Sequence, residues 1–125
     1  MFGADDLVYG YSRAQAIEDG VLVDVSEIGR QAGIRYPVAV SQALWGEWIV
    51  PDARAQSFGQ SEQGRLWDVL TLLAWAARKA SGGELHFPVA FVRGAGRKHL
   101  VQVKALCGPG DAGEPVLTIM LPEED

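Results

Sequence analysis

Cys107 is the one thiol of this chain, and together with His86, His99 and Lys104 it forms the set of side chains closest to a nucleophilic constellation. A thiolate attacks only when a base or cation lowers its pKa, so Cys107 would need His86, His99 or Lys104 beside it. His99 lies eight residues before Cys107 on the same expected strand. At about 3.3 Å per residue, roughly 26 Å separates them, which excludes a direct pair. His86 approaches Cys107 only if the preceding hairpin is symmetric about Ala95, a register that sets residue 86 opposite 104. An unpaired cysteine is commonly buried and inert, and that is the reading adopted for Cys107. A small Cys/His enzyme ranks last among the functions considered, and no catalytic residue, cofactor or metal is assigned. The Cys and His spacing supplies no zinc finger, and no acidic run has calcium-loop spacing.

A second group is cationic. Arg93-Gly94-Ala95-Gly96-Arg97-Lys98 has the glycines of a phosphate loop without its spacing, and a strand follows where a helix N-terminus would be needed. Arg93, Arg97 and Lys98 therefore form a basic hairpin tip, either solvated or able to touch a nucleic-acid backbone. A sequence pI near 4.9 and few interleaved aromatics make nucleic acid the unfavoured partner.

The third group is acidic and larger. Asp5, Asp6, Glu18, Asp19, Asp24 and Glu27 crowd one end, and Asp111, Glu114, Glu123, Glu124 and Asp125 the other. Residues 1–62 carry a net −5, residues 63–110 a net +5 and residues 111–125 a net −5. If the two acidic sets converge, Glu18, Asp19, Asp24, Glu27, Asp111 and Glu114 make an anionic face able to mimic nucleic-acid phosphates and occupy a basic site on another protein. The alternative is that these acids only keep the surface soluble.

These groups need elements to position them. Ser12 caps a short helix over residues 13–19 that stops at Gly20, and Ser26 caps a second that stops at Gly33. Residues 21–25 between them read as a short strand or extended link. Residues 36–40 are extended and lead into a helix capped by Ser41, with Leu44, Trp45, Trp48 and Ile49 on its apolar stripe and Pro51 at its end. Residues 52–61 hold few apolar anchors and read as a mobile loop. A long helix runs from Glu62 to about Ala80, capped by Ser61, with Leu66, Val69, Leu70 and Leu73 along one side and Trp67 and Trp75 broadening it. Its Arg65 and Asp68 are expected to pair with the N-terminal unit, Arg65 with Asp24. A tryptophan left partly exposed, Trp48 or Trp75, would anchor a homodimer.

The period then becomes two: Leu85, Phe87, Val89 and Phe91 share a face, Gly94-Ala95-Gly96 turns, and residues 98–107 return. Pro88 places the first strand at an edge, since it cannot donate to a ladder. Residues 116–121 add a third strand after a turn rich in Gly, Pro and Asp. The fold class is α+β, with short N-terminal helices and one long helix packed on a C-terminal three- to four-stranded antiparallel sheet, as a single domain over 1–125.

Composition bounds the setting. A 48% hydrophobic content and one cysteine suit a globule of a reducing cytoplasm. The start lacks the basic and apolar regions of a leader, and no run reaches the roughly 18 apolar residues of a spanning helix, so no membrane role is expected.

Three blocks carry a family resemblance: residues 11–26 from Tyr11-Ser12-Arg13 to Val25-Ser26, Gly64-Arg65-Leu66-Trp67-Asp68-Val69-Leu70, and Leu106-Cys107-Gly108-Pro109-Gly110-Asp111 through Pro122-Glu123-Glu124-Asp125. The chain resembles an uncharacterised family of small proteins of proteobacterial plasmids, integrated elements and phages, known as domain of unknown function 6573. The resemblance implies a mobile-element accessory protein and supplies no catalytic residues. The function expected is a non-enzymatic factor that binds another protein, as an antagonist of host defence or regulation, through the acidic surface. The alternative is a nucleic-acid-associated regulator using the hairpin tip.

Overall fold

The computed structural model describes residues 11–124. Asp5, Asp6, the stretch read for a leader, and Asp125 lie outside the described residues.

Helix α1 covers Arg13–Glu18, where the Ser12 hydroxyl accepts from the Gln15 amide at 3.0 Å and Gly20 follows at φ +80°. Strand β1 is Leu22–Asp24 and helix α2 is Ser26–Gln31. Ser26 is not the cap expected of it. Val25 holds that position, and the Ser26 hydroxyl instead accepts from the Val38 amide at 3.0 Å and donates to Asp24 Oδ1 at 2.6 Å. The hydroxyl thus ties α2 to the neighbouring strand β2, Val38–Ser41.

The four residues of β2 are all buried, as suits a strand inside the sheet and covered on both faces. Ser41 then caps helix α3, Gln42–Leu44, by accepting from the Leu44 amide at 3.2 Å, and the chain widens into a π-helical turn over Trp45–Ile49. The segment expected to be a mobile loop contains helix α4, Ala53–Ser57. Asp52 caps it at 2.7 Å from the Ala55 amide, and Ala55, a residue with little periodic signal, is fully buried.

Helix α5 covers Glu62–Ala77 with Ser61 as its cap. Leu66, Val69, Leu70 and Leu73 are buried on one side, each contributing about 1.5–3 kcal/mol by leaving water. Trp67 and Trp75 do not join them: they are 41% and 59% exposed. At 100° per residue, a position one or two residues beyond a buried leucine has rotated off the stripe. Trp75 instead lies under the Lys79 ammonium, 4.0 Å from the ring centroid.

Strands β3 (Glu84–Arg93), β4 (Arg97–Pro109) and β5 (Pro115–Met120) form the expected antiparallel meander. The hairpin is symmetric about Ala95, with Arg93 opposite Arg97 and His86 opposite Lys104. Pro88 sits in β3, an edge strand. The sheet extends beyond the C-terminal half, however. Its order is β1-β2-β5-β4-β3, and β2 joins β5 in parallel, Val38 opposite Leu117 and Val40 opposite Ile119. The sheet is therefore five-stranded and mixed, and the fold is α+β.

Helices α2, α3 and α5 and the π-turn cover one face, where Leu44, Ile49, Leu70, Phe91, Val103 and Ile119 meet in the core. On the other, α1 lies over β5 and the C-terminal segment crosses a buried Lys104, whose ammonium donates to the carbonyls of Pro122 and Glu124. Among the described residues no helix is long and apolar enough to cross a membrane.

Candidate functional site

The β4–β5 turn folds back onto α1. Asp111 accepts from the Arg13 amide at 2.8 Å and the Ala14 amide at 3.0 Å, capping α1 from far along the chain. Those two amide bonds, Ala14's first, hold the Asp111 carboxyl below the usual range, and the Arg13 charge adds to them. The Arg13 guanidinium is fixed in turn by Thr118 Oγ1 at 2.8 Å and the Leu117 carbonyl at 2.6 Å. Partial burial pushes its pKa down, against the opposing charges of Asp24, Asp111 and Glu114.

Arg13, Asp24, Asp111 and Glu114 line one hollow of about 210 Å³. The structure therefore brings together three of the six acids singled out in the sequence. Each is also tied to its own neighbourhood, Asp24 by accepting from Ser26 and Glu114 by accepting from the Ala112 amide at 2.9 Å. Asp19, at the far end of α1, accepts from Tyr11 at 2.9 Å and Gln15 at 3.1 Å. Glu18 and Glu27 project from α1 and from the first turn of α2, both exposed.

The cationic tip divides. Arg93 lies over Trp48, its guanidinium carbon 3.6 Å from the ring centroid, and donates to the Glu47 carbonyl at 2.8 Å. Arg93 and Arg97 are a register pair, and His99, two residues on, shares their face and packs beside Trp48 with the ring centroids 5.7 Å apart. Lys98 alternates to the opposite face, across from Val92. Arg54 of α4 completes a hollow of about 370 Å³ with Arg93, Arg97 and His99. Sequence reasoning missed Arg54, because its segment read as a loop. Asp52 beside it accepts from the Gly94 amide at 3.3 Å. Its carboxyl is held below the usual range by the Ala55 amide first, then by Gly94 and by the charges of Arg65 and Arg93.

Arg65 is buried, 3% exposed, and it does not meet Asp24. Its guanidinium donates to the carbonyls of Trp48, at 2.6 Å, and Val92, and to Gln60 Oε1 at 3.3 Å. It joins α5 to the π-turn and the end of β3. Burial pushes its pKa down, with Asp52 the compensating charge.

Cys107 is exposed, not buried as expected. Its amide donates to the Gly83 carbonyl at 2.7 Å, which leaves the thiol at the mouth of a cleft of about 320 Å³ between α5 and the sheet, walled by Leu73, Ala77, Leu85 and Ala105. The hairpin has the symmetric register that would bring His86 near, yet the side chains face opposite ways. His86 pairs with Lys104 on one face, and Cys107 is three residues further, on the other. His86 instead meets Glu84 at 2.7 Å, and that hydrogen bond holds the Glu84 carboxyl below its usual range. Among the described residues no group of three or more His, Cys, Asp or Glu is placed to hold a metal ion.

A family model described as Family of unknown function (DUF6573) matches residues 1–125. No curated protein and no solved structure matches the chain.

Proposed function

We propose for this chain, which belongs to the family of unknown function DUF6573, the role of a non-enzymatic protein-binding factor that engages a basic partner surface through its acidic face. The observation that carries the reading is the Asp111 cap on α1, which folds the C-terminal acidic turn onto the N-terminal acidic unit. Asp24, Asp111 and Glu114 gather around a single guanidinium, so their charge exceeds what Arg13 offsets. Glu18 and Glu27 lie on the helices next to this hollow, and Asp19 caps the end of α1. Charges within about 8 Å act together at physiological ionic strength, and a field of one sign speeds encounter with a cationic surface. A protein carried on mobile elements that occupies a nucleic-acid-binding surface of a host factor would act as its antagonist.

The test is affinity capture of the tagged protein from nuclease-treated lysate of its natural host, alongside E18Q/D19N/E27Q. These three carboxylates project from helices and leave the Asp111 cap intact. A protein retained by the parent chain, insensitive to nuclease and lost both in the triple variant and at raised salt, supports the reading. Retention of the same proteins by the triple variant would overturn it.

A further inference from the structure

We propose that the hollow beside the β3–β4 tip is a phosphate-oxyanion site built by Arg54, Arg93, Arg97 and His99. It is independent of the acidic face and differs from the cationic run in the sequence by excluding Lys98 and including Arg54.

The first ground is convergence. The hairpin register places Arg93 against Arg97 and His99 on the same face, and α4 supplies Arg54 from another part of the chain. All four line one hollow of about 370 Å³ with Gly94 and Ala95. Gly94 and Gly96, at φ +58° and +113°, allow the tight turn that sets the two arginines across from each other.

The second ground is preorganisation. Arg93 is held before any ligand arrives: its guanidinium rests over the ring of Trp48, itself 9% exposed, and the Glu47 carbonyl accepts from one of its N–H groups. A guanidinium has five N–H donors, so most of those on Arg93 remain for a ligand. Immobilising a cation beforehand lowers the entropic cost of binding.

The third ground is charge. Asp52 is the carboxylate the structure ties to this tip, and both its oxygens are occupied by backbone amides, Oδ1 by Ala55 and Oδ2 by Gly94. It anchors α4 to the hairpin, and its one charge, set against three guanidiniums, leaves two positive charges in excess. Glu47 lines a separate hollow with Gln102 and Glu123 and is absent from the lining of this one. Three forked cations around one space exceed what a single carboxylate can satisfy, whereas a phosphate group offers several oxygens to several forks. The phosphate comes either from a nucleic-acid backbone or from a small phosphorylated molecule.

The experiment titrates the full chain with pyrophosphate by calorimetry and with a fluorescein-labelled 12-nucleotide single-stranded DNA by anisotropy. R54Q/R97Q removes two exposed cations of the hollow, and K98Q/R78Q removes two exposed cations elsewhere, matching the net charge. The proposal expects saturable binding of at least one probe, weakened about tenfold or more by R54Q/R97Q and unchanged within about twofold by K98Q/R78Q. Pyrophosphate binding that displaces the DNA identifies a small phosphate anion as sufficient for recognition. DNA binding that falls steeply with salt and resists pyrophosphate identifies the backbone. Absence of saturable binding to both probes, or equal weakening by the two double variants, would overturn the proposal.

Discussion

The Arg65 guanidinium donates to the Trp48 carbonyl at 2.6 Å, so the π-helical turn and α5 are joined by a charged side chain buried without a carboxylate in direct contact. The widened turn leaves backbone carbonyls short of helical partners, and an arginine reaching from α5 supplies donors to Trp48 and, across the sheet end, to Val92. Trp48 in turn carries Arg93 on its ring face. The residue that Arg65 fixes in the core therefore also carries one of the guanidiniums that line the cationic hollow.

Replacing Arg65 with methionine keeps much of the stem's packing and strands those carbonyls. Hydrogen bonds to charged groups contribute about 1.5–3 kcal/mol each, so R65M is expected to lower unfolding free energy by about 3 kcal/mol or more in urea denaturation. A cycle between Arg65 and Asp24 should show coupling within about 0.3–0.5 kcal/mol of zero, the additivity of sites that share no contact.

Asp111 gives the fold an acid dependence. Its carboxyl is held below the unfolded value of about 3.9 by the Ala14 and Arg13 amides. Its contribution is therefore fully present above the unfolded pKa and is lost as pH falls through the lower folded one. D111N should be less stable than the parent chain at pH 7, with the difference narrowing as pH drops below about 4. Thermal melts of both proteins from pH 7 to pH 2 measure that convergence, and a constant gap would refute the linkage.

Gly29 has a packing reason for its lack of a side chain. A Cβ there would lie 2.7 Å from Val38 Cγ1, and Val38 is fully buried in the interior strand β2. Alanine in a helix interior is ordinarily favoured over glycine by about 1 kcal/mol. G29A should reverse that sign and destabilise by about 1–3 kcal/mol, the usual cost of overpacking. Added to V38A, which removes the clashing methyl, G29A should cost less than it does alone.

Cys107 should be titrated by a thiol reagent in the native protein without prior unfolding, because the residue is exposed. Blocking at a rate independent of added low urea checks this. A rate that tracks the unfolding equilibrium would contradict the exposure.

Local rules written in the chain itself were enough for α1 with its Ser12 cap and Gly20 stop, for the leucine side of α5, and for the β3–β4 register about Ala95. Capping, helical periodicity and turn chemistry act over a few residues and are legible without the fold. The mixed sheet was not: β1 and β2 are three and four residues long, and the parallel contact of Val38 with Leu117 is set by long-range packing that periodicity does not encode. Helix α4 escaped notice because its fold rests on one capping aspartate and one buried alanine, neither of which makes an apolar stripe. Which tryptophans are buried, whether Cys107 meets His86, and which arginine accompanies the hairpin tip are likewise tertiary matters. A side chain's type limits its chemistry, while its partners depend on how distant strands and helices are brought side by side.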